Sequence, residues 1–329
     1  MLTLADIQAA AARIDKYIKK TPVFESRLLN HWLGHRVVFK AECLQRTGAF
    51  KLRGATNYIA SMAQRDALPA AIVANSSGNH AQAVAYAARH FKIPATIYTT
   101  SRISTVKAAA TRAYGAEINM FGTRPEADEA VAEAARHDGV EWIPPFNHPD
   151  IIAGQGTATL EALNQTGPVD AVFAPCGGGG LVSGALVATR EMCPAASVFA
   201  AEPLNANDAA RSLREGNIVS LDGPPDTLAD GAATPSVGEH TFPYLQRLDG
   251  LYEVSEQRIV YWTQWLHHLL KLHIEPTCCM TMEAIVQWLK TQNGPKTVLV
   301  ILSGGNIDQR SMSRVWQNDQ LHTPPSLSE

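Results

Sequence analysis

VDAVFAPCGGGGLVSGALVATR, residues Val169 to Arg190, reads as a buried strand, a glycine loop and a helix in immediate succession. Val169 to Ala174 has the length and apolar, β-branched composition of a strand covered on both faces, and helical spacing begins near Leu181. Between them Gly177, Gly178, Gly179 and Gly180 let the backbone wrap closely round an anion, and the start of the helix adds the positive end of its dipole. A strand that passes through a glycine turn into a helix is the first half of a βαβ unit, so an α/β fold with parallel strands is expected.

Outward from that stretch the same alternation covers the chain. Short β-branched runs at Arg36 to Ala41, Ala71 to Ala74, Ala95 to Thr99, Glu117 to Phe121, Ser197 to Ala201 and Thr297 to Leu302 are separated by Ala-rich stretches of helical spacing. In open parallel sheets ligands bind beyond the carboxyl ends of the strands, which is where the glycine- and serine-rich loops fall. Ala71 to Asn147 forms a compact βαβ series flanked by other α/β units, so a smaller domain inserted in a larger one is expected, with a boundary near Pro144 and Pro145 and a cleft between the lobes. The opening segment, Met1 to Pro22, is expected as an amphipathic helix ended by Pro22, and disorder only in the tail, Thr323 to Glu329.

With 329 residues, 46% of them apolar, the chain can bury one or two sizeable cores. A net charge of −3 without basic blocks provides no footprint for nucleic acid or an anionic membrane. No stretch reaches the roughly 18 uninterrupted apolar residues of a membrane span, and Asp6 interrupts what a signal peptide would keep apolar. A small-molecule partner is expected. Cys43, Cys176, Cys193, Cys278 and Cys279 form no CxxC and sit in apolar surroundings, which suits buried thiols and a reducing, cytoplasmic setting.

Three further loops carry polar chemistry. In Thr47-Gly-Ala-Phe-Lys51-Leu-Arg-Gly-Ala55 a lysine begins a helical pattern, where the helix dipole and burial beside Phe50 both disfavour its protonated form. A neutral lysine forms imines with carbonyls; a merely solvated lysine is the alternative. Asn75-Ser-Ser-Gly-Asn-His80 opens the helix Ala81 to His90, so its N–H groups and hydroxyls suit a carboxylate or phosphate, although Ser76 and Ser77 could equally be N-caps and His80 a structural histidine. Leu302-Ser-Gly-Gly-Asn306 places the Ser303 hydroxyl at a strand end, able to donate to a ring nitrogen or simply to cap a glycine turn. The four-glycine loop is not a P-loop, since no Gly-Lys-Ser/Thr follows, and Ser183 replaces the third glycine of GxGxxG. Glu202 nonetheless ends the next strand at about the distance of a ribose-binding acid, which keeps a nicotinamide dehydrogenase open.

Together and in this order the loops resemble the serine/threonine dehydratase and serine racemase family of fold type II pyridoxal-phosphate enzymes, which includes the threo-3-hydroxyaspartate dehydratases. The resemblance runs from Thr21-Pro22 through Ser303-Gly-Gly-Asn306 and takes in Ala153-Gly-Gln-Gly-Thr157, Ala201-Glu-Pro203 and Ile274-Glu-Pro-Thr277, and it outweighs the dehydrogenase. It implies two open twisted α/β domains of the tryptophan synthase β type with a cofactor cleft between them: a large domain of residues 1–70 plus 149–329 and a small domain of 71–148. It implies pyridoxal 5'-phosphate held as a Schiff base on Lys51, Asn79 on its phenolic oxygen, Gly177, Gly178, Gly179, Gly180 and Leu181 on its phosphate, and Ser303 facing the pyridine nitrogen. Ser76, Ser77, Gly78, Asn79 and His80 would hold the substrate carboxylate.

The implied reaction is β-elimination from serine, threonine or 3-hydroxyaspartate to a 2-keto acid and ammonia, with Lys51 as catalytic base. The racemases and hydroxyaspartate dehydratases resemble this chain in carrying a serine at Ser77, and a hydroxyl opposite Lys51 makes racemisation the alternative. Glu202, the Ala206 carbonyl and Asp208 resemble the family's site for Mg²⁺, with Ca²⁺ or Mn²⁺ as other hard cations. A homodimer is implied, and an ATP site is partly mirrored: Thr47, Gln82, Tyr114, Lys271 and Asn306 match it, whereas Arg27 and Arg46 depart. Ala49 stands where the family has serine, and Cys278-Cys279 replaces a pair of small residues; both changes are expected near the pocket. Asp128 falls where the vertebrate racemases have an arginine at the distal end of the substrate, with Arg124 nearby as a substitute cation.

Overall fold

Two sheets carry the structure, a computed structural model that describes residues 1–101 and 103–327. In chain order the strands are β1 (Val23–Glu25), β2 (Arg36–Ala41), β3 (Ala71–Asn75), β4 (Ala95–Thr100), β5 (Glu117–Phe121), β6 (Val140–Trp142), β7 (Ala171–Pro175), β8 (Ser197–Pro203), β9 (Gly250–Val254) and β10 (Thr297–Leu302). The helices that position the site are α1 (Leu4–Ile14), α2 (Arg27–Leu33), α3 (Lys51–Gln64), α4 (Asn79–His90), α5 (Thr105–Ala113), α6 (Arg124–Ala134), α7 (Pro149–Thr166), α8 (Gly180–Met192) and α9 (Asp208–Glu215). The larger sheet has the order β1-β2-β10-β7-β8-β9 and the smaller one β5-β4-β3-β6. Every pairing is parallel except that of β1 with β2.

The central strands are apolar on both faces because helices cover both. Along β2, Val37 and Phe39 join one core cluster and Val38, between them, the opposite one. A third cluster, including Ile72, Ala74 and Ile97, lies under the smaller sheet against α3 and α4. The loop before α3 is tied to the end of β10: Phe50 N donates to Ser303 O at 2.9 Å, and Ala49 bridges Gly304. That tie brings the first residue of α3, Lys51, beside the end of a strand some 250 residues later in the chain.

Arg36–Ala41, Glu117–Phe121 and Thr297–Leu302 form strands with the expected bounds, and the other expected strands shift by one or two residues. The strand expected from Val169 begins at Ala171, because the Asp170 carboxylate accepts from Thr297 N at 2.7 Å and leads the chain into the ladder. The strands β1, β6 and β9 were not anticipated. All three are edge strands whose residues, Val254 apart, are half-buried or exposed, so none has the continuous apolar run of a covered strand.

The opening helix ends at Ile14 and not at Pro22. Tyr17 packs against Phe91 with the rings tilted and their centroids 5.0 Å apart, Ile18 is buried, and Gln45 binds both the N–H and the carbonyl of Lys19, which draws the chain off the helix axis. The expected disorder of the tail is likewise corrected over its described part: Thr323 O accepts from Tyr261 Oη at 3.0 Å, Pro325 is buried and Leu327 packs on the main core. Ser328 and Glu329 lie outside the described residues.

Candidate active site

A cavity of about 800 Å³ opens where the carboxyl ends of the strands of both sheets meet. Its walls are the loops after β3, β6, β7 and β10, together with Phe50 and Lys51 at the start of α3. Local sequence explains the positions of the loops, and long-range contacts explain why they converge.

Lys51 Nζ lies over the Phe50 and Phe146 rings, 5.2 and 5.9 Å from their centroids, and donates to Pro145 O at 2.6 Å. Burial lowers its pKa to about 8 against the opposing pull of Glu275. A substantial neutral fraction is therefore available near neutrality, as the sequence pattern led one to expect. The solvated-lysine alternative does not describe this environment.

The glycine loop closes the opposite wall. Gly179 has φ +89°, in the left-handed region, and a Cβ on Gly178 would collide with the Phe146 ring. Thr241 Oγ1 donates to Gly178 O at 2.7 Å and fixes the loop from a segment that the sequence reading passed over. No side chain caps α8, so its first N–H groups face the cavity without intrahelical partners. Such an arrangement could cradle an anion such as a phosphate.

Ser303 is 1% exposed, lines the cavity and has no hydrogen-bond partner for its hydroxyl. An orphaned buried hydroxyl is costly unless something in the cavity meets it. A lysine of depressed pKa, an anion cradle and an unpaired hydroxyl in one cavity fit the three distinct groups of pyridoxal phosphate: aldehyde, phosphate and ring nitrogen. Asn79 is held at the same depth by Asn306, whose Nδ2 donates to Asn79 Oδ1 at 2.8 Å, while Asn79 Nδ2 donates to both oxygens of Glu275 at 3.0 and 3.1 Å. Glu275 is 2% exposed, and burial together with Asp230 pushes its carboxyl up to about 7.

The loop after β3 separates its alternatives. Gly78 occupies the cap position of α4 without a side-chain cap, so neither Ser76 nor Ser77 is an N-cap. Ser76 Oγ accepts from Gly78 N at 3.2 Å, and Ser77 is exposed to the cavity. His80 is buried, its Nε2 contacts Ile143 O at 2.9 Å, and burial with the nearby Lys51 lowers its pKa to about 3. A neutral ring whose Nε2–H donates to a backbone carbonyl is a structural histidine, which leaves its backbone N–H as the donor it can offer to a ligand.

Glu202 and Asp208 lie outside the cavity, both fully buried. The Glu202 carboxylate accepts from Ala209 N and Ala210 N at 3.2 and 2.6 Å at the start of α9, an arrangement unlike a ribose contact. Among the described residues the buried Asp208 carboxylate meets no side-chain donor; the Asp208 and Val237 N–H groups pull its pKa down, but burial outweighs them and raises the Asp208 and Glu202 pKa values to about 7 and about 8. Ala206, also buried, ends the turn between them. Among the described residues no group of three or more His, Cys, Asp or Glu side chains could hold a metal ion.

Of the residues implied for a nucleotide, Thr47 O accepts from Asn306 Nδ2 at 2.8 Å and Tyr114 Oη donates to Arg46 O at 3.3 Å, whereas Gln82 is buried inside α4. Ala49, Cys278 and Cys279 are fully buried and do not line the cavity, but Ala49 and Cys278 adjoin it as expected: Ala49 precedes Phe50 and bridges Gly304, and Cys278 follows Thr277 with its Sγ on Glu275 O and Gly304 O. Residues that do line it, and that the sequence reading did not single out as site residues, include Phe146, Lys107, Asp230 and Glu275. The motif Ile274-Glu-Pro-Thr277 was a signal for the last of these.

Comparison with known proteins agrees with the geometry. The family described as "Pyridoxal-phosphate dependent enzyme" matches residues 14–304. L-threo-3-hydroxyaspartate ammonia-lyase of Saccharomyces cerevisiae is 42% identical over 311 residues, 94% of each chain. Serine racemase of Dictyostelium discoideum is 40% identical over 318 residues, covering 95% of this chain and 98% of the relative. The crystal structure of a threonine deaminase from T.th. superposes with a TM-score of 0.87 at 41% identity, over 93% of this chain and 99% of that one.

Proposed function

Because the chain belongs to the pyridoxal-phosphate-dependent enzyme family, we propose that it is an ammonia-lyase that eliminates water from a small β-hydroxy amino acid, giving a 2-keto acid and ammonia. The observation that carries this reading is the convergence of Lys51, the glycine loop and the unpaired Ser303 hydroxyl in one cavity. The ammonia-lyase and deaminase relatives support the reaction class. When bound, the cofactor would supply an electron sink that acidifies the substrate Cα–H and a phosphate able to protonate the departing hydroxyl.

The rest of the chemistry falls to side chains and N–H groups of this chain. Gly177 to Leu181 would hold the phosphate, Ser303 the ring nitrogen and Asn79 the phenolic oxygen. Lys51 would hold the cofactor through its amine and, once released by the substrate amine, take the Cα proton on Nζ; a pKa lowered to about 8 leaves a larger neutral share of that nitrogen than an ordinary lysine has. The N–H groups of Ser76 to His80 would bind the α-carboxylate and so present the Cα–H to Lys51.

Ser77, exposed in the cavity, supports a second activity: a hydroxyl on the face opposite Lys51 can return a proton with inversion, in keeping with the racemase relatives. For the cation site, the buried Asp208 carboxylate, which lacks a side-chain donor among the described residues, together with Glu202 and the Ala206 carbonyl would suit a hard divalent ion such as Mg²⁺, bracing β8 and α9. Residues 71–148 are taken as the small domain and the flanking segments as the large one. The finer reading includes a homodimer in a reducing cytoplasm, in keeping with five free cysteines of which four are buried, and ATP as an activator.

The test is incubation of the purified protein with Mg²⁺, the cofactor and L-serine, D-serine, L-threonine or threo- and erythro-3-hydroxyaspartate, following keto acid, ammonia and the chirality of the remaining amino acid. Keto acid and ammonia in equal amounts from at least one substrate are expected. Absence of keto acid from all of them, or normal turnover by Lys51→Ala, would overturn the reading.

A further inference from the structure

Among the described residues three cationic side chains line the cavity, Lys51, Lys107 and Arg124, since His80 is neutral. The first belongs to the reaction. The other two differ in what already surrounds them. Lys107 Nζ pairs with Asp230 Oδ2 at 2.8 Å and also feels Glu275 and Asp308, so three acids share its charge. Arg124 uses only Nε, on Asp128 Oδ1 at 2.7 Å; among the described residues its two terminal nitrogens make no hydrogen bond.

The partner of Arg124 fixes where that free fork sits. Asp128, one helical turn along α6, also accepts from Asn75 Nδ2 at 2.6 Å, and Asn75 Oδ1 accepts from Trp142 Nε1 at 2.9 Å. Asn75 is the last residue of β3 and directly precedes Ser76. The guanidinium is therefore tethered, through one carboxylate and one amide, to the loop proposed for the α-carboxylate. In a four-carbon dicarboxylic amino acid the two carboxylates are separated by two carbons, so a second acceptor site must adjoin the first. Asp128 also explains itself: at i+4 from Arg124 it orients the fork and leaves the terminal nitrogens free for a bidentate contact.

We propose that Arg124, positioned by Asp128 and Asn75, binds a second carboxylate and makes a β-hydroxy dicarboxylic amino acid, 3-hydroxyaspartate, the preferred substrate. This rests on the elimination reading above and specifies its substrate. Serine and threonine present no charge to Arg124, so a serine-preferring enzyme would have no use for it there. Lys107 cannot take the role as well, because the acids around it would meet the incoming carboxylate.

The experiment compares wild type, Arg124→Gln, Arg124→Lys and Lys107→Gln on L-threo-3-hydroxyaspartate and L-serine, with binding of succinate and of propionate measured by calorimetry. Losing a charge-assisted bidentate contact should lower the hydroxyaspartate-to-serine ratio of kcat/KM by about 100-fold in Arg124→Gln, mainly through KM. Arg124→Lys should restore about tenfold, because the charge returns without the fork, and succinate affinity should fall while that of propionate does not follow. A ratio in Arg124→Gln within about threefold of wild type, a wild-type preference for serine, or a shift of the ratio by Lys107→Gln alone would overturn the assignment and leave the elimination reading standing. If no hydroxy amino acid were turned over, elimination would fall, and the succinate measurement would still decide the subsite.

Discussion

Arg53 sits on the first turn of α3, two residues from Lys51, with its side chain fully buried. Its Nε and Nη2 donate to the two oxygens of Glu42 at 2.7 and 2.8 Å, and its Nη1 and Nη2 to those of Glu161 at 2.9 and 2.8 Å. Lys40, also buried, shares Glu161 at 2.8 Å. Replacing Arg53 by Met keeps the volume but leaves Glu42, itself fully buried, with Thr21 as its remaining side-chain partner. Breaking a buried pair from one side costs about 3–5 kcal/mol. With an unfolding entropy of about 2.1 cal/mol/K per residue, a chain of 329 residues has an entropy change near 0.7 kcal/mol/K, so the melting temperature should fall by about 4–7 °C. Differential scanning calorimetry of wild type, Arg53→Met, Glu42→Gln and the double variant reads this directly. The double variant should recover part of the loss, because the uncompensated charge is gone. A melting temperature for Arg53→Met within about 1 °C of wild type would refute the reasoning and mean that water or rearrangement satisfies the carboxylates.

Other outcomes follow from the site. Acylation of the cofactor-free protein with an amine reagent, mapped by mass spectrometry, should label Lys51 with a midpoint near pH 8, since burial depresses its pKa, and not near the usual lysine range; a midpoint with the exposed lysines would show that Nζ is solvated. Gly178→Ala should weaken cofactor binding at least tenfold by fluorescence titration, since the added Cβ meets Phe146 at the phosphate cradle; unaltered affinity would mean that the ring yields. Chelation should lower the melting temperature, and Asp208→Asn should abolish that response while stabilising the metal-free protein, because a carboxylate whose charge is opposed by burial is removed. An equal chelator response in both proteins would place any cation elsewhere. Ser77→Ala should suppress inversion of serine more than tenfold relative to keto acid formation, measured by chiral chromatography; parallel loss of both would confine Ser77 to carboxylate binding.

The parts of this molecule legible in its sequence are those decided within a few residues. The glycine loop, the strand before it and α8 after it follow from local spacing, and so does Lys51 at the head of α3. The covered strands were legible because both faces are apolar. The edge strands β1 and β9 were not, because pairing on one side with solvent on the other leaves no distinctive pattern in three to five residues. The end of α1 was misread for a different reason: the sequence continues with helix-compatible residues to Lys20, and the break comes from Gln45 and Phe91, which lie far along the chain.

The same distinction separates the cofactor-facing half of the site from the half that selects the substrate. A phosphate cradle can be built from one contiguous loop because backbone N–H groups suffice. Selectivity at the distal end needs side chains aimed from elements that meet only in the folded state. Asn75 meets Asp128 across 53 residues of chain. Read alone, Asp128 in place of an arginine looks like the loss of a cation. In the structure Asp128 accepts from both Arg124 Nε and Asn75 Nδ2, so under the proposed assignment the charge for a second carboxylate would be displaced by one helical turn rather than lost. An exchange of this kind would keep the reaction while changing what is recognised, because among the described residues no hydrogen bond or ion pair joins Arg124 or Asp128 to Lys51, the glycine loop or Ser303.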